Sequence, residues 1–208
     1  MTTARRPTAE RREEIADAAL RIIESHGIVA LTTATLAKAV GLTSGALFRH
    51  FASFDAILEE VAQRAEALLR ATLPEDDLPP GIRLERFLDA RATMAGNHAG
   101  VLRLMTSDQF ALALPAAAKR RLRAAIVDTR AAVAKTLADG QRAGVFRDDV
   151  PAEALAIVVL GTLKMLAFSA AANAGNQEEA RRVRATLRVL IDVQRQAAVR
   201  RRSPSRRR

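Results

Sequence analysis

The sequence contains no cysteine, no tryptophan and no tyrosine, and phenylalanine occurs only seven times. Without cysteine the chain forms no disulfide, no thiolate nucleophile and no cysteine-ligated zinc site. Without tyrosine it has no phenolic nucleophile. So few aromatic residues also disfavour the base-stacking sheets with which many domains bind single-stranded RNA. These absences exclude several classes of enzyme and disfavour one class of nucleic-acid binder.

Histidine is scarce as well, with three residues that lie far apart in the sequence: His26, His50 and His98. None of them forms the i, i+4 pair that a metal-binding helix would supply. The chain also has no recognisable nucleophile–base pair and no glycine-rich phosphate loop. We therefore expect no enzyme activity, no metal site and no cofactor.

Positive charge is concentrated at the carboxyl end. The formal net charge is +10, but six of the nine residues in 200–208 are arginine and none is acidic, so the remaining chain is nearly balanced. A segment of this composition cannot bury a core, and we expect it to be disordered. It is either a solvated solubility tail or a sequence-independent attractor of DNA phosphates. Its composition does not decide between the two.

Apolar residues recur at helical spacing along almost the whole chain, and no run alternates with period two for long enough to form a strand. The polar first 14 residues show no apolar leader segment, so we expect a cytoplasmic protein. The sequence predicts an all-α fold with about nine helices, with Leu73–Gly81 as the strongest break. The better-bounded helices are expected at about 8–26, 33–40, 44–51, 115–143, 151–173 and 178–199.

The most informative stretch is 33–50, which has the pattern of a helix-turn-helix. Two short helices that cross steeply need a small residue at the crossing and a turn residue that tolerates positive φ, which Ala37 and Gly41 supply. Leu36 and Leu47 belong to the apolar facing sides. The second helix would then present small and hydrogen-bonding side chains outward, able to approach base edges in a major groove. An ordinary helical hairpin with a glycine turn is the alternative.

Residues 8–58 resemble the DNA-binding domain of TetR-family (tetracycline-repressor-like) transcriptional regulators. The resemblance rests on His26-Gly27, Leu31-Thr32-Thr33, Leu36-Ala37, Val40-Gly41 and the run from Ser44 to Phe51. It implies a helix-turn-helix DNA-binding domain over 1–52, a helical effector-binding and dimerisation domain over 53–199, and the tail at 200–208. It also implies a cytoplasmic, nucleoid-associated homodimer that binds a palindromic operator, acts as a repressor and responds to a small molecule.

The resemblance further implies which residues contact DNA, either in the major groove or on the phosphates. They are Arg5, Arg6, Thr33, Thr43, Ser44, Gly45, Phe48, Arg49 and His50. Two positions depart from the family pattern, because Phe48 stands where tyrosine is usual and Phe54 where lysine is usual. Both changes remove a contact to the DNA backbone and leave the base-reading contacts in place.

Beyond the DNA-binding domain, the resemblance implies a dimer interface in the last two helices. The apolar run Ala154–Ala172 is as long as a membrane span, but Lys164 near its middle would cost about 3 kcal/mol on insertion. An interface helix is therefore the favoured interpretation. The family's effector pocket implies lining residues on the preceding helices, although methionine and phenylalanine at helical spacing more often form plain core. The candidates are Phe87, Met94, His98, Met105, Thr106, Gln109 and Phe110.

One alternative function stays open. The chain could be an architectural, nucleoid-associated DNA-binding protein that has no effector and relies on its arginine tail. A sequence-specific operator footprint would separate this alternative from a regulator.

Overall fold

A computed structural model of the protein describes residues 8–98, 100–101, 104, 112–172 and 177–192. Over these residues the secondary structure is helical, with one short 3₁₀ turn at Ile28–Ala30 and one isolated β-bridge between Phe146 and Asp192. The predicted all-α fold is confirmed. The helices are α1 (Thr8–His26), α2 (Thr33–Ala39), α3 (Ser44–Leu47), α4 (Phe54–Arg70), α5 (Pro80–Asn97), α6 (Ala116–Arg142), α7 (Ala152–Ala172) and α8 (Gln177–Ile191).

Glycines and caps fix most helix ends where the sequence predicts them. Gly27 and Gly144 adopt φ values of 77° and 69° just after α1 and α6, a conformation that residues with a side chain rarely adopt. The Ser53 hydroxyl accepts a hydrogen bond from the Ala56 amide at 3.1 Å and so caps α4. Two ends differ from expectation, and the first is that of α8, which ends at Ile191 and not near Val199. The α3 helix stops at Leu47 and not near Phe51, because the amides of Arg49 and His50 bond the carbonyls three residues back in tighter turns.

The chain divides into two compact units. The first comprises residues 1–71 and 94–126, and the second comprises 72–93 and 127–208. The first unit is built around a core in which α1, α2, α3 and α4 all take part. Its fully buried side chains belong mainly to these four helices and include Ile15, Ile23, Leu36, Leu47, Ile57 and Val61.

The second unit has its own apolar core and, within it, a paired buried arginine. The core is formed by residues of α5, α6, α7 and α8, together with Phe146. Arg83 of α5 is 5% exposed and donates to Asp139 at 2.8 Å, to the Leu78 carbonyl at 3.0 Å and to Asp76 at 3.3 Å. Its bond to the carboxylate lowers the pKa of Asp139. Burial of this guanidinium is therefore compensated by three acceptors.

Hydrogen bonds from α6 and to α8 hold the connection between α6 and α7 in place. The Gln141 side-chain amide donates to the carbonyls of Arg147 and Val150 at 2.8 and 2.7 Å. The Arg147 amide donates to the Ile191 carbonyl at 2.8 Å, so the connection also satisfies an otherwise open carbonyl at the end of α8. These bonds hold Phe146, which is 3% exposed, in the core.

Among its described side chains, the α7 helix is mostly apolar, but only one of its faces is buried within this chain. Leu155, Val159 and Leu163 pack into the core of the second unit. Ile157 and Met165 lie on the other side and are 54% and 62% exposed. No helix in the described part of the chain is long and apolar enough to cross a membrane. Ile157 and Met165 therefore form an exposed apolar stripe on α7.

Candidate nucleic-acid interface

The turn between α2 and α3 is closed by a glycine in the left-handed region. Gly41 has φ of 66°, and the Leu42 amide reaches back to the Ala37 carbonyl at 2.9 Å. The Gly41 amide bonds the Lys38 carbonyl at 3.3 Å, which completes a Schellman motif at the end of α2. Ala37 is 3% exposed at the crossing, where only a small side chain fits. The predicted helix-turn-helix geometry is present.

Threonine hydroxyls hold the first turn of both helices. Thr32 and Thr35 form a reciprocal capping box, in which each hydroxyl accepts from the other residue's amide, at 3.1 and 2.9 Å. The Thr43 hydroxyl accepts from the Ala46 amide at 3.1 Å and caps α3. Because α3 has only four residues, its position depends on this cap and on the burial of Leu47.

Five of the nine residues that the resemblance implies contact DNA are exposed in α3 or directly beside it. Thr33, at the first position of α2, is half-buried, and His50 is half-buried after α3. Arg5 and Arg6 lie outside the described residues. The exposed members of the set are Thr43, Ser44, Gly45, Phe48 and Arg49.

Two arginines of α1, which sequence reasoning missed, attach this region to the rest of the unit. Arg11 donates to the Val40 carbonyl at the end of α2 at 2.9 Å, where a cation also complements the helix dipole. Arg12 pairs with Glu60 of α4 at 2.5 Å and lies 4.8 Å from the centre of the Phe51 ring. These contacts join residues that are 29 to 48 positions apart, so no local sequence pattern could have revealed them.

A third arginine ties α4 directly to α1. Arg64 donates through Nε and Nη2 to the two carboxylate oxygens of Asp17, at 2.7 and 3.1 Å. The hydrogen bond to Asp17 raises the pKa of Arg64. A bidentate pair of this kind fixes the relative orientation of two helices as well as their distance. The α1–α4 packing that supports α2 and α3 is therefore reinforced by charge.

Phe54, which replaces the family's usual lysine, packs against the core of the first unit and is half-buried. We expect Phe54→Lys to lower the stability of the protein by about 2 kcal/mol, because buried aromatic area is lost. Thermal unfolding should show a fall of about 4–8 °C. Any gain in affinity for DNA from the added cation should be equal for all sequences and should fade with salt.

Ala52→Lys is the matched control. Ala52 is exposed, so this substitution adds the same charge beside α4 without removing a packed ring. It should leave the melting temperature unchanged. A Phe54→Lys protein as stable as the wild type would contradict a packing role for Phe54.

The residues expected to line an effector pocket are only partly described. Phe87 is 1% exposed in the core of the second unit, Met94 is 5% exposed in the core of the first, and His98 is half-buried. Met105, Thr106, Gln109 and Phe110 lie outside the described residues. A separate open groove of about 350 Å³ lies in the second unit, with Pro79, Ile82, Val145 and Arg188 among its lining residues. Of the described pocket candidates, Phe87, Met94 and His98 do not border this groove.

Acidic and histidine side chains do not gather into a metal site in the described part of the chain. Within the described ranges no three of them lie close enough together to hold a metal ion. The most developed arrangement for contact with another molecule is thus the exposed side of α3.

Comparison with known proteins agrees with this geometry. The family model of bacterial regulatory proteins, tetR family, matches residues 15–61, which run from α1 into α4. The nucleoid occlusion factor SlmA of Aliivibrio fischeri (strain MJ11) is 35% identical over 111 residues, covering 51% of this chain and 55% of that protein. The chain thus spans about half the length of the curated relatives that it matches.

Solved structures share the fold over a larger part of the chain. The ketosteroid transcriptional regulator KstR2 of Mycobacterium tuberculosis has a TM-score of 0.70 at 20% identity, covering 88% of this chain and 95% of that one. AibR, solved with isovaleryl coenzyme A and operator DNA, has a TM-score of 0.65 at 17% identity, covering 76% and 85%. At such identities these likenesses concern the fold. Residues 15–61, which form the helix-turn-helix region, thus match the tetR family of bacterial regulatory proteins, and the chain shares its fold with these two solved structures.

Proposed function

We propose that the protein is a sequence-specific, double-stranded-DNA-binding transcriptional regulator, a repressor that acts as a homodimer on a palindromic operator. The observation that carries this proposal is the separation of two sets of residues on α2 and α3. Large apolar side chains such as Leu36 and Leu47 are fully buried, while Thr43, Ser44 and Arg49, in and around α3, are exposed. A short helix that exposes hydroxyls and a guanidinium suits base edges in a major groove.

Gly45 supports the same proposal. A glycine inside a helix costs about 0.5–1 kcal/mol relative to alanine. Nothing in the fold requires it here, because its φ is not positive and a Cβ placed on it meets no atom within 4 Å. The fold would accept a side chain at position 45, but the sequence has none there. Gly45 therefore allows another molecule to approach closely, here the edge of a base pair.

Ser44 and His50 should have different effects on DNA binding. We expect Ser44→Ala to relax base preference at one position of each half-site by about tenfold, because a hydrogen bond to a base edge is lost. His50→Ala should weaken binding to all sequences alike, because it removes a phosphate contact. Competition binding with a panel of single-base operator variants measures both effects.

Gln63→Ala is the control for this pair, since Gln63 is exposed on α4 and is not among the assigned DNA contacts. It should change neither affinity nor preference. If His50→Ala altered base preference while Ser44→Ala lowered all affinities equally, α3 would be docked in a different orientation from the one proposed.

The proposed homodimer forms through α7 and α8. Ile157, Val158 and Met165 on α7 are 49–62% exposed, and Val189 and Leu190 on α8 are 44% and 49% exposed. Large apolar side chains clustered on two adjacent helices are typical of a surface that a partner covers. A second copy of the chain presents the same stripe, so a two-fold arrangement covers both.

A small-molecule effector completes the proposal. Its pocket would draw on Phe87, Met94 and His98, together with Met105, Thr106, Gln109 and Phe110. An effector that prefers the conformation with low affinity for the operator would release the DNA. A cytoplasmic, nucleoid-associated location follows from the same proposal, because the operator lies on the chromosome.

A second candidate function is favoured by one specific observation, which is that the relative from Aliivibrio fischeri is named a nucleoid occlusion factor. In this alternative the protein acts on the nucleoid as an architectural DNA binder and has no effector. The arginine tail, which lies outside the described residues, would then dominate binding through the phosphates.

Selection of bound DNA from a random pool tests the two candidates. A regulator should recover one palindromic motif whose half-sites are about one helical turn apart. Recovery of DNA without any motif, with affinity that depends only on salt, would contradict the proposed function and favour the architectural alternative.

A further inference from the structure

Two charged side chains in the described part of the chain are buried, and they differ in one respect. Both are arginines of α5, Arg83 and Arg91, which are 5% and 8% exposed. Arg83 donates to two carboxylates and a carbonyl. Arg91 has no hydrogen-bond partner on its Nε or its Nη2 within the described residues, and both atoms are shielded from solvent. Its charge is thus buried without an acceptor on this edge.

The surroundings of Arg91 on its own helix do not compensate for this burial. Its guanidinium carbon lies 5.2 Å from the centre of the Phe87 ring, one turn away, and such a contact offsets only part of the lost hydration. The nearest acids along α5, Asp89 and Glu85, pair with Arg184 and Arg188 of α8. Burial lowers the pKa of Arg91 to about 10, so the side chain still carries its charge at neutral pH.

The unpartnered edge has a defined chemical preference. Nε and Nη2 form the side of the guanidinium that donates two parallel hydrogen bonds to one carboxylate. Two of the described arginines use that edge in this way: Arg64 holds Asp17 at 2.7 and 3.1 Å, and Arg147 holds Asp149 at 2.7 Å through both atoms. In Arg91 the same edge is presented within an apolar environment and is empty of any protein acceptor among the described residues.

We propose that Arg91 is the anion-binding residue of a ligand site in the second unit, and that its ligand is an organic carboxylate with an apolar body. The carboxylate accepts two hydrogen bonds from Nε and Nη2, and the apolar body packs among the apolar side chains beside Phe87. A buried guanidinium without an acceptor is costly, so the ligand that supplies one is selected strongly over a neutral analogue. This inference names the chemical class of the effector and therefore rests on the proposed response to a small molecule.

Thermal unfolding of the full chain tests the proposal with four probes at equal ionic strength: octanoate, benzoate, octanamide and inorganic phosphate. We expect octanoate, benzoate or both to raise the melting temperature by about 5 °C or more near 100 times the dissociation constant. Octanamide has no second acceptor oxygen and no charge, and phosphate has no apolar body. Neither should produce the shift.

Variants assign the effect to Arg91. Arg91→Met should abolish the carboxylate shift while leaving the unliganded protein as stable as the wild type or more so, because an unpartnered buried charge is removed. Arg91→Lys, which keeps the charge but lacks the planar edge, should weaken carboxylate binding about tenfold. Arg86→Met, on the exposed side of the same helix, should keep the full shift.

Three outcomes would overturn the proposal: no carboxylate shift, an equal shift with octanamide or phosphate, or a carboxylate shift that survives in Arg91→Met. Binding of selected DNA by the unliganded wild type and Arg91→Met is measured in parallel. If both bind one motif while carboxylates have no effect, only the ligand class fails. If neither protein selects a DNA motif, the proposed regulatory function is contradicted, and the thermal shifts still decide whether Arg91 binds a carboxylate.

Discussion

A double substitution on the exposed face of α7, Ile157→Glu with Met165→Glu, should convert the protein from a dimer to a folded monomer. The two side chains are 54% and 62% exposed in the single chain, so charging them costs its fold little. Across a two-fold interface, however, four carboxylates would be buried in an apolar contact without partners. Sedimentation velocity at micromolar concentration should show one species at half the wild-type mass.

Loss of the dimer should also lower affinity for a palindromic operator by about a hundredfold or more. A loss of this order is expected when two linked DNA-binding domains become independent. Ala131→Glu, at an exposed position of α6, is the matched control and should leave mass and affinity unchanged. A double variant that remains dimeric, or a wild type that sediments as a monomer, would show that this face is not the interface. Leu163 is a poor site for such a charge, because it is 7% exposed and belongs to the chain's own core.

Gly140→Ala should destabilise the protein by about 3 kcal/mol, with a fall in melting temperature of about 6–12 °C. A Cβ at this position would lie 2.0 Å and 2.4 Å from two ring atoms of Phe146. The ring cannot simply swing away, since it is 3% exposed and its backbone is held by bonds from Val145 and Phe146 to the Gly140 carbonyl at 2.8 and 3.2 Å. The methyl group therefore forces the connection after α6 out of place.

Gly96→Ala provides the comparison, because Gly96 lies in the last turn of α5 and a Cβ there meets nothing within 4 Å. It should leave stability unchanged or raise it by about 0.5–1 kcal/mol, as expected when a helical glycine is replaced by alanine. If the two variants had equal melting temperatures, Phe146 would not be packed on Gly140 as described.

Local chemistry explains why much of the fold could be predicted from the sequence. Gly41 and Gly144 mark turns because positive φ is almost restricted to glycine, and Ser53 marks a helix start because its hydroxyl replaces a missing carbonyl. Leu36 and Leu47 are predicted to lie on the apolar facing sides from their positions on either side of the Gly41 turn, and both are fully buried. Each of these inferences needs only residues within one or two turns of each other.

What the sequence could not predict depends on contacts between distant residues. The pairs Arg12–Glu60 and Arg64–Asp17 join α1 to α4 across 47 or 48 positions, and their partners are not distinguishable from other acids in the sequence. The face of α7 that stays exposed is equally hidden, because the helix is apolar on every side. The isolation of Arg91 is visible only once the partners of the other arginines are known.

The separation of buried and exposed residues on α2 and α3 also bears on how such a protein can diverge. Ser44, Gly45 and Arg49 are exposed, and a Cβ at Gly45 meets no atom within 4 Å, so we expect their replacement to leave the fold intact. Thr43 is the exception, since its hydroxyl caps α3 and only serine, aspartate or asparagine would keep that bond. Duplicated copies of this gene could therefore come to bind new operators through a few substitutions that do not disturb the fold. Positions 44, 45 and 49 can vary freely, whereas position 43 is limited to residues that cap a helix.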